Sequence, residues 1–163
     1  MNLVVLDSSR LPLDGDGELW RAVDGEPAYR RLVDADAAPA ADASAHPGAE
    51  AVWIGAQLSP GELAAPPGAA ALLMVGHDPA DEDDFNAWMD TEHVPALGAV
   101  PGVLSARRFR AISGWPPYFA VYHLTGQDVL GSDAWKAAGA TEWAARVRET
   151  MRGRVRGLFV REG

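Results

Sequence analysis

The chain has 163 residues, of which 48% are hydrophobic, and 23 acidic against 14 basic side chains give it a net charge of −9. This balance predicts a soluble globular protein with one core, or two small modules that share one. It excludes nucleic acid as a partner, because no basic tract interleaved with aromatic residues offsets the negative charge. The absence of cysteine excludes disulfides, thiolate nucleophiles and cysteine-bound metal centres.

Short apolar patterns separated by loops make up the N-terminal third. Strands are predicted at 3–7, 28–33 and 51–58, and a helical turn at 17–23. The stretches 34–50 and 57–70 are rich in Ala, Pro and Gly, a composition that predicts loops. The first ten residues do not resemble a signal peptide, and no stretch approaches the ~20 apolar residues of a membrane span. We therefore expect a cytoplasmic protein with no membrane partner.

The remaining two thirds show a clearer pattern of alternating strands and helices. Strands are predicted at 70–77, 103–112, 118–124 and 155–161, and helices at 78–97 and 132–151. Asp78 as N-cap and Pro79 at the first helical position mark the start of the first helix, and Gly139 interrupts the second. The order strand, helix, strand, strand, helix, strand is that of a ferredoxin-like α+β unit.

Two of these strands are apolar on both faces. In "AALLMVG" (70–76) and "YFAVYHL" (118–124) nearly every side chain is apolar or aromatic, which is typical of a strand covered on both sides. A ferredoxin-like unit has helices on only one face of its sheet. The second face must therefore meet either the sheet of a partner subunit or the strands of the N-terminal third.

His93 is the main candidate for chemistry. It shares one helical stripe with apolar residues, and Pro95 predicts that the helix ends or kinks just after it. Asp90, three residues earlier, is within reach of the imidazole and able to orient it. A histidine at a helix end also caps carbonyl groups, so the pattern alone leaves a structural interpretation open.

The predicted topology places His77 and His123 differently relative to His93. About 16 residues of helix, or ~24 Å, are expected to separate His77 from His93. The strand order instead brings His123 to the same end of the sheet as His93, so these two are predicted to line one pocket. Alternation leaves open whether the face of His123 or that of Tyr118 and Tyr122 turns towards the helices.

Several other kinds of site are not indicated. The chain has no His-x-His or HExxH spacing, no G-x-S-x-G elbow, no glycine-rich phosphate loop and no flavin or nicotinamide signature. We therefore predict no metal and no cofactor. The basic run "RVRETMRGRVRG" (146–157) is interpreted as the solvated face of a helix and of the strand after it.

A motif on the first helix resembles a known family. "DFNAWMDTEHVPALGAVPG", followed by "YFAVYHL" and a helix containing "AW", resembles the EthD-like branch of the dimeric α/β-barrel superfamily over residues 71–161. The resemblance implies ferredoxin-like units paired sheet against sheet as an α/β barrel in a homodimer. It divides the chain into a ferredoxin-like unit at 67–163 and a segment at 1–66 that is a degenerate second half or completes the sheet.

The resemblance also implies a pocket in which His93 is the usual polar group. The leading hypothesis is a cofactor-independent enzyme of the cyclase, isomerase or dehydratase type that acts on an apolar or aromatic, polyketide-like molecule of secondary metabolism. In it His93 is the acid/base, oriented by Asp90. The residues expected to bind substrate are Trp88, Met89, Phe109, Tyr118, Tyr122 and His123. The alternatives are a cofactor-free monooxygenase of the same superfamily and a binding barrel without chemistry.

Overall fold

A computed structural model of the chain describes residues 2–35, 43–58 and 64–162. The strands are β1 (Leu3–Ser9), β2 (Glu18–Ala22), β3 (Tyr29–Ala35), β4 (Ala51–Leu58), β5 (Ala71–Pro79), β6 (Val103–Ser113), β7 (Tyr118–Leu124) and β8 (Met151–Arg161). The α-helices are α1 (Glu82–Trp88), α2 (Val94–Gly98), α3 (Asp133–Gly139) and α4 (Glu142–Glu149). A π-helical turn, Met89–His93, joins α1 to α2, and 3₁₀ turns occupy Ala43–Ala45 and Gln127–Gly131. None of the described helices is long and apolar enough to cross a membrane.

The eight strands form a closed antiparallel barrel within one chain. Around the barrel the order is β1-β3-β2-β8-β5-β7-β6-β4, and β4 pairs back onto β1. This confirms the predicted α+β barrel. Of the two predicted covers for the apolar strands, the barrel uses the strands of the N-terminal third.

The two halves of the barrel have the same strand order. In the second half the neighbours run β8-β5-β7-β6, and in the first half they run β4-β1-β3-β2. Numbered within each half, both orders are 4-1-3-2, and helices α1 to α4 all belong to the second half. A chain with a degenerate first repeat is expected to show this arrangement, and the division at 66/67 stays a prediction.

Two hydrophobic cores lie on opposite faces of the sheet. The inner core fills the barrel with side chains from both halves, including Trp20, Leu72, Phe109 and Phe159. The outer core lies between the sheet and helices α1 to α4, and it includes Leu73, Phe85, Trp88 and Tyr122. Successive residues of β5 and β7 alternate between the two cores, which explains why both strands are apolar throughout.

Several predicted element boundaries were wrong. The segment predicted as a helical turn at 17–23 contains strand β2, which pairs with β3 and β8 and buries Trp20 next to the exposed Arg21. The first helix begins at Glu82 rather than near Asp78, since the side chain of Asp81 caps it by accepting from the Asp84 amide at 3.0 Å. Asp78 and Pro79 instead extend β5.

The other elements agree more closely with the sequence patterns. The hairpin of β6 and β7 is confirmed, and the predicted helix 132–151 is broken into α3 and α4 next to Gly139. Strand β8 begins at Met151, four residues before the predicted start at 155. The predicted loops 34–50 and 57–70 fall partly on residues 36–42 and 59–63, which lie outside the described residues.

Candidate functional site

The π turn sets the orientation of His93. The Val94 amide bonds to the Met89 carbonyl five residues back, so the turn holds one more residue than an α-helical turn. Positions five apart in an α-helix point about 140° away from each other, whereas the wider π turn brings them to within about 50°. His93 therefore returns above Trp88, and the two rings stack with centroids 4.1 Å apart.

A cavity opens between the helices and the sheet where His93 points. Its empty volume is about 550 Å³, counting the solvent at its mouth. The sheet contributes Leu73, Val75, His77, Tyr122, Met151, Arg154 and Arg156, and the helices contribute Trp88, His93, Leu97, Trp135, Gly139 and Arg148. We call this the helix-side cavity. It combines an apolar wall with a few convergent polar groups, as small-molecule sites do.

Three buried polar atoms around this cavity have no hydrogen-bond partner among the described residues. They are Nδ1 of His77, Nε1 of Trp88 and Nδ1 of His93. An unsatisfied buried polar group costs about 1–3 kcal/mol, so such groups are uncommon unless a site needs them. Three such atoms around one cavity make it a candidate binding site.

Both histidines of the cavity are held neutral. Burial, followed by the nearby charges of Arg148 and Arg154, lowers the pKa of His93 to about 3. Burial and the charge of Arg154 lower the pKa of His77 to about 3 as well. At neutral pH each imidazole has a free lone pair and is a base and hydrogen-bond acceptor, not an acid.

Three arginines give the cavity a positive wall. All three arginines are exposed at the mouth of the cavity, and partial desolvation together with the charges of Arg148 and Arg156 lowers the pKa of Arg154. The described residues lining the cavity include no carboxylate. Burial raises the pKa of Tyr122, so its phenol remains protonated opposite this wall. An anion that forms inside the cavity would be stabilised by the guanidinium groups and by the Tyr122 hydroxyl.

Asp90 does not orient His93. Its carboxylate forms an ion pair with Arg108, whose guanidinium also bonds to the Asn86 side chain. Asp90, Arg108 and Asn86 line a surface cleft outside the helix-side cavity. Tyr118 lines the same cleft, and its hydroxyl donates to Glu82 at 2.9 Å. Because the π turn rotates successive side chains, Asp90 points towards β6 while His93 points over Trp88. The sequence-based geometry assumed a regular helix and missed this separation.

His123 and Phe109 lie on the inner face of the barrel, opposite the helix-side cavity. Nε2 of His123 is 2.9 Å from a Glu18 carboxylate oxygen, and Nδ1 is 3.3 Å from the Ser105 hydroxyl. His123 is fully buried in this network. The prediction that His123 and His93 line one pocket was wrong, since alternation along β7 turns Tyr122 rather than His123 towards the helices.

Three of the predicted site residues line the helix-side cavity, together with residues that were not predicted. His93, Trp88 and Tyr122 line it, whereas Met89 is buried in the outer core beside it. His77 also lines it, although ~24 Å was expected between the two histidines. The expectation counted helix from Asp78, but β5 extends to Pro79 and α1 begins only at Glu82, so less helix separates the two histidines.

The arginines of the wall were also missed. Arg148, Arg154 and Arg156 belong to the basic run that was interpreted as a solvated face, and all three are indeed exposed; what was missed is that they also line the helix-side cavity. Their alternation within β8 was the available signal, since Arg154 and Arg156 share a parity with Leu158 of the outer core.

Comparisons with known proteins show the fold and no family. No family model matches the chain, and no curated protein matches it. A solved structure described as an anthrone oxidase-like protein covers 99% of this chain and 91% of its own, with 11% identity and a TM-score of 0.61. A putative monooxygenase from Fusobacterium nucleatum covers 98% of this chain and 91% of its own, with 11% identity and a TM-score of 0.56.

A third similar structure has a different kind of description. It is a major regulator of staphylococcal pathogenesis, with 9% identity, a TM-score of 0.58 and coverage of 98% of this chain and 99% of its own. At these identities the likeness establishes the α+β barrel, and proteins of different function share it. The EthD-like resemblance stays a prediction.

Proposed function

We propose that the protein is a cofactor-independent enzyme that removes a proton from an apolar, aromatic, polyketide-like substrate bound in the helix-side cavity. The observation that carries this proposal is the neutral imidazole of His93, whose Nδ1 has no partner among the described residues, facing three arginines. A pKa of about 3 makes His93 a weak base, so the proton transfer depends on the positive wall, which would stabilise the enolate or phenolate that forms.

Each group of the cavity has a role in this step. His93 accepts the proton, and stacking on Trp88 fixes the plane of its ring. The guanidinium groups of Arg148 and Arg154 neutralise the anion, and the anion in turn offsets their repulsion of the protonated histidine. His93 then returns the proton to another carbon of the substrate, which completes an isomerisation or cyclisation without any redox group.

A second candidate shares this first step. The similarity to the structures of an anthrone oxidase-like protein and of a putative monooxygenase favours it. In this reaction the enolate reacts with molecular oxygen, and a methylene carbon of the substrate becomes a carbonyl. One oxygen atom enters the product. The other leaves as water with the two hydrogens of that carbon. The substrate supplies all the electrons, so this reaction also needs no cofactor.

Anthrone is a suitable probe because its methylene group is acidic and flanked by aromatic rings. In D₂O under argon, NMR is expected to show that the protein speeds exchange of the methylene hydrogens. His93→Gln should lower this rate by about 10²–10⁴-fold while the protein stays folded. Lys136→Gln is the matched control, since Lys136 is an exposed cation on α3 outside the cavity.

The same probe separates the three hypotheses. Oxygen uptake and formation of anthraquinone in air would favour the monooxygenase. Exchange without oxygen uptake would favour the isomerase type. Tight binding of anthrone without exchange would contradict both and leave a binding barrel. The predicted homodimer is part of the proposal but not of this step, and native mass spectrometry measures it directly.

A further inference from the structure

One end of the barrel interior holds an arginine without a partner. Arg30 lies on the inner face of β3, and its Nε is enclosed by protein. Within residues 2–35, 43–58 and 64–162 its guanidinium forms no ion pair or hydrogen bond. Arg30 is half-buried, whereas the buried arginines Arg31, Arg107 and Arg108 of the described residues each bond to a carboxylate. Burial lowers the pKa of Arg30 to about 10, so it remains charged at neutral pH.

Aromatic rings surround this guanidinium. It lies over the Phe119 ring at 5.4 Å and over the Phe159 ring at 6.0 Å. Trp53 meets Phe119 edge to face at 5.0 Å. The indole N–H of Trp53 already donates to the Pro116 carbonyl at 2.8 Å, so this side of the site is a flat apolar wall.

The space in front of Arg30 is open to solvent and large enough for a small molecule. A depression with an empty volume of about 880 Å³, counting open solvent, is lined by Arg30 together with Trp53, Pro116, Phe119 and Val155. We call it the barrel mouth. The exposed indole of Trp115 stands at its rim.

A second donor lies beside Arg30. Ser8 is directly opposite Arg30 in the pairing of β1 with β3, so both side chains project into the barrel mouth. The acidic groups nearby do not neutralise Arg30: Glu50 pairs with Arg10 at 3.6 Å, and Glu26 is exposed at the rim.

We propose that the barrel mouth is a binding site for a planar aromatic carboxylate, whose ring lies against Trp53 and Phe119 and whose carboxylate accepts hydrogen bonds from Arg30 and Ser8. A bidentate arginine–carboxylate pair is the partner that a fixed guanidinium favours most. The site is separate from the helix-side cavity, because it lies on the opposite face of β5 and β7, and it does not depend on the proposed function.

Binding of 2-naphthoate to the full chain, measured by isothermal titration calorimetry, tests the proposal. We expect saturable binding with one site at the barrel mouth, and Arg30→Met should weaken it about tenfold or more. Methionine keeps most of the apolar volume of the arginine stem, so the variant should fold. Arg10→Gln, which removes an exposed cation at the same end of the barrel, should bind like the wild type.

Two further measurements keep the test independent of that variant. In the wild type, methyl 2-naphthoate should bind at least about tenfold more weakly than the acid, because it lacks the charge that Arg30 recognises. His93→Gln should leave naphthoate binding unchanged. No binding of the acid, equal binding of acid and ester, undiminished binding by Arg30→Met, or loss of binding in His93→Gln would each overturn the proposal.

Discussion

The imidazole of His93 lies nearly flat against the indole of Trp88, with ring centroids 4.1 Å and ring planes 26° apart. The contact covers one face of the imidazole with apolar surface and removes water from it. Desolvation is also the first cause of the low pKa of His93, ahead of the arginine charges. The stack therefore fixes the ring and helps to keep it unprotonated.

Acid should destabilise the protein through this cavity. His77 and His93 have pKa values of about 3 in the folded chain and near 6.5 when unfolded, so between these values the unfolded chain binds more protons. We expect full stability above pH 6.5 and a loss of up to about 1.4 kcal/mol per pH unit for each histidine as the pH falls. Urea denaturation from pH 7 to pH 4 measures this slope. A double variant, His77→Gln with His93→Gln, should flatten it, and an unchanged slope would contradict the assignment.

Removal of Arg148 should raise the pKa of His93. The charge of Arg148 is the largest charge effect on this histidine, and burial, which stays in place, acts more strongly. In Arg148→Gln we therefore expect an upward shift that leaves the pKa below 6.5, measured by NMR titration of the imidazole nitrogens. Arg152→Gln is the control: Arg152 is an exposed β8 arginine that pairs with Asp78, and its loss should not move the titration.

The ion pair inside the barrel contributes to stability. Burial alone would raise the pKa of Glu18, but the hydrogen bond and charge of His123 and the charge of Arg161 outweigh it, so the pKa is lowered. The stabilisation is thus present above the unfolded pKa of 4.5 and is lost as the pH falls below it.

Glu18→Gln should accordingly lower the free energy of unfolding at pH 7 by about 1–3 kcal/mol. Glu162→Gln, which breaks the exposed pair with Arg21, should change it by less than about 0.5 kcal/mol. Comparable losses in the two variants, measured by urea denaturation, would mean that the buried network is not what stabilises the barrel.

Gly76 leaves no room for a side chain at the end of the barrel interior. A Cβ at this position would lie 2.6 Å from Val155 Cγ2 and would also collide with Pro116. Gly76→Ala should destabilise the protein by about 1–3 kcal/mol through overpacking. Gly131→Ala has open space around the added methyl and should be close to neutral. Thermal unfolding of the two variants compares them, and equal melting temperatures would contradict the packing at Gly76.

The apolar patterns of β5 and β7 predicted a sheet covered on both faces, and the resemblance to α/β barrels added the expectation of a barrel. The same patterns could not assign faces: Tyr122 and His123 are adjacent, and only the docking of α1 decides which of them turns towards the helices. The π turn was equally invisible, since it depends on a single extra residue. His93 was therefore identified correctly as a cavity residue, while Asp90 was given the wrong partner.

The roles of residues far from the motif could not be predicted from the sequence. Arg30 belongs to a weakly patterned strand, and its isolation is visible only once eight strands from both halves close around it. Arg154 and Arg156 are surface residues of a charge-rich strand, and their charge gives no sign that they also border a cavity. Their position facing the cavity depends on the pairing of β8 with β5.

The alternation along β5 makes the sheet a partition between two compartments. Leu73, Val75 and His77 belong to the cavity beneath the helices, whereas Met74 and Gly76 face the barrel interior. Deletion of a single residue at the start of this strand would exchange the two sets. The imidazole of His77 would then enter the barrel, and the side chain of Met74 would enter the cavity. The register of this one strand therefore keeps the two proposed sites chemically distinct.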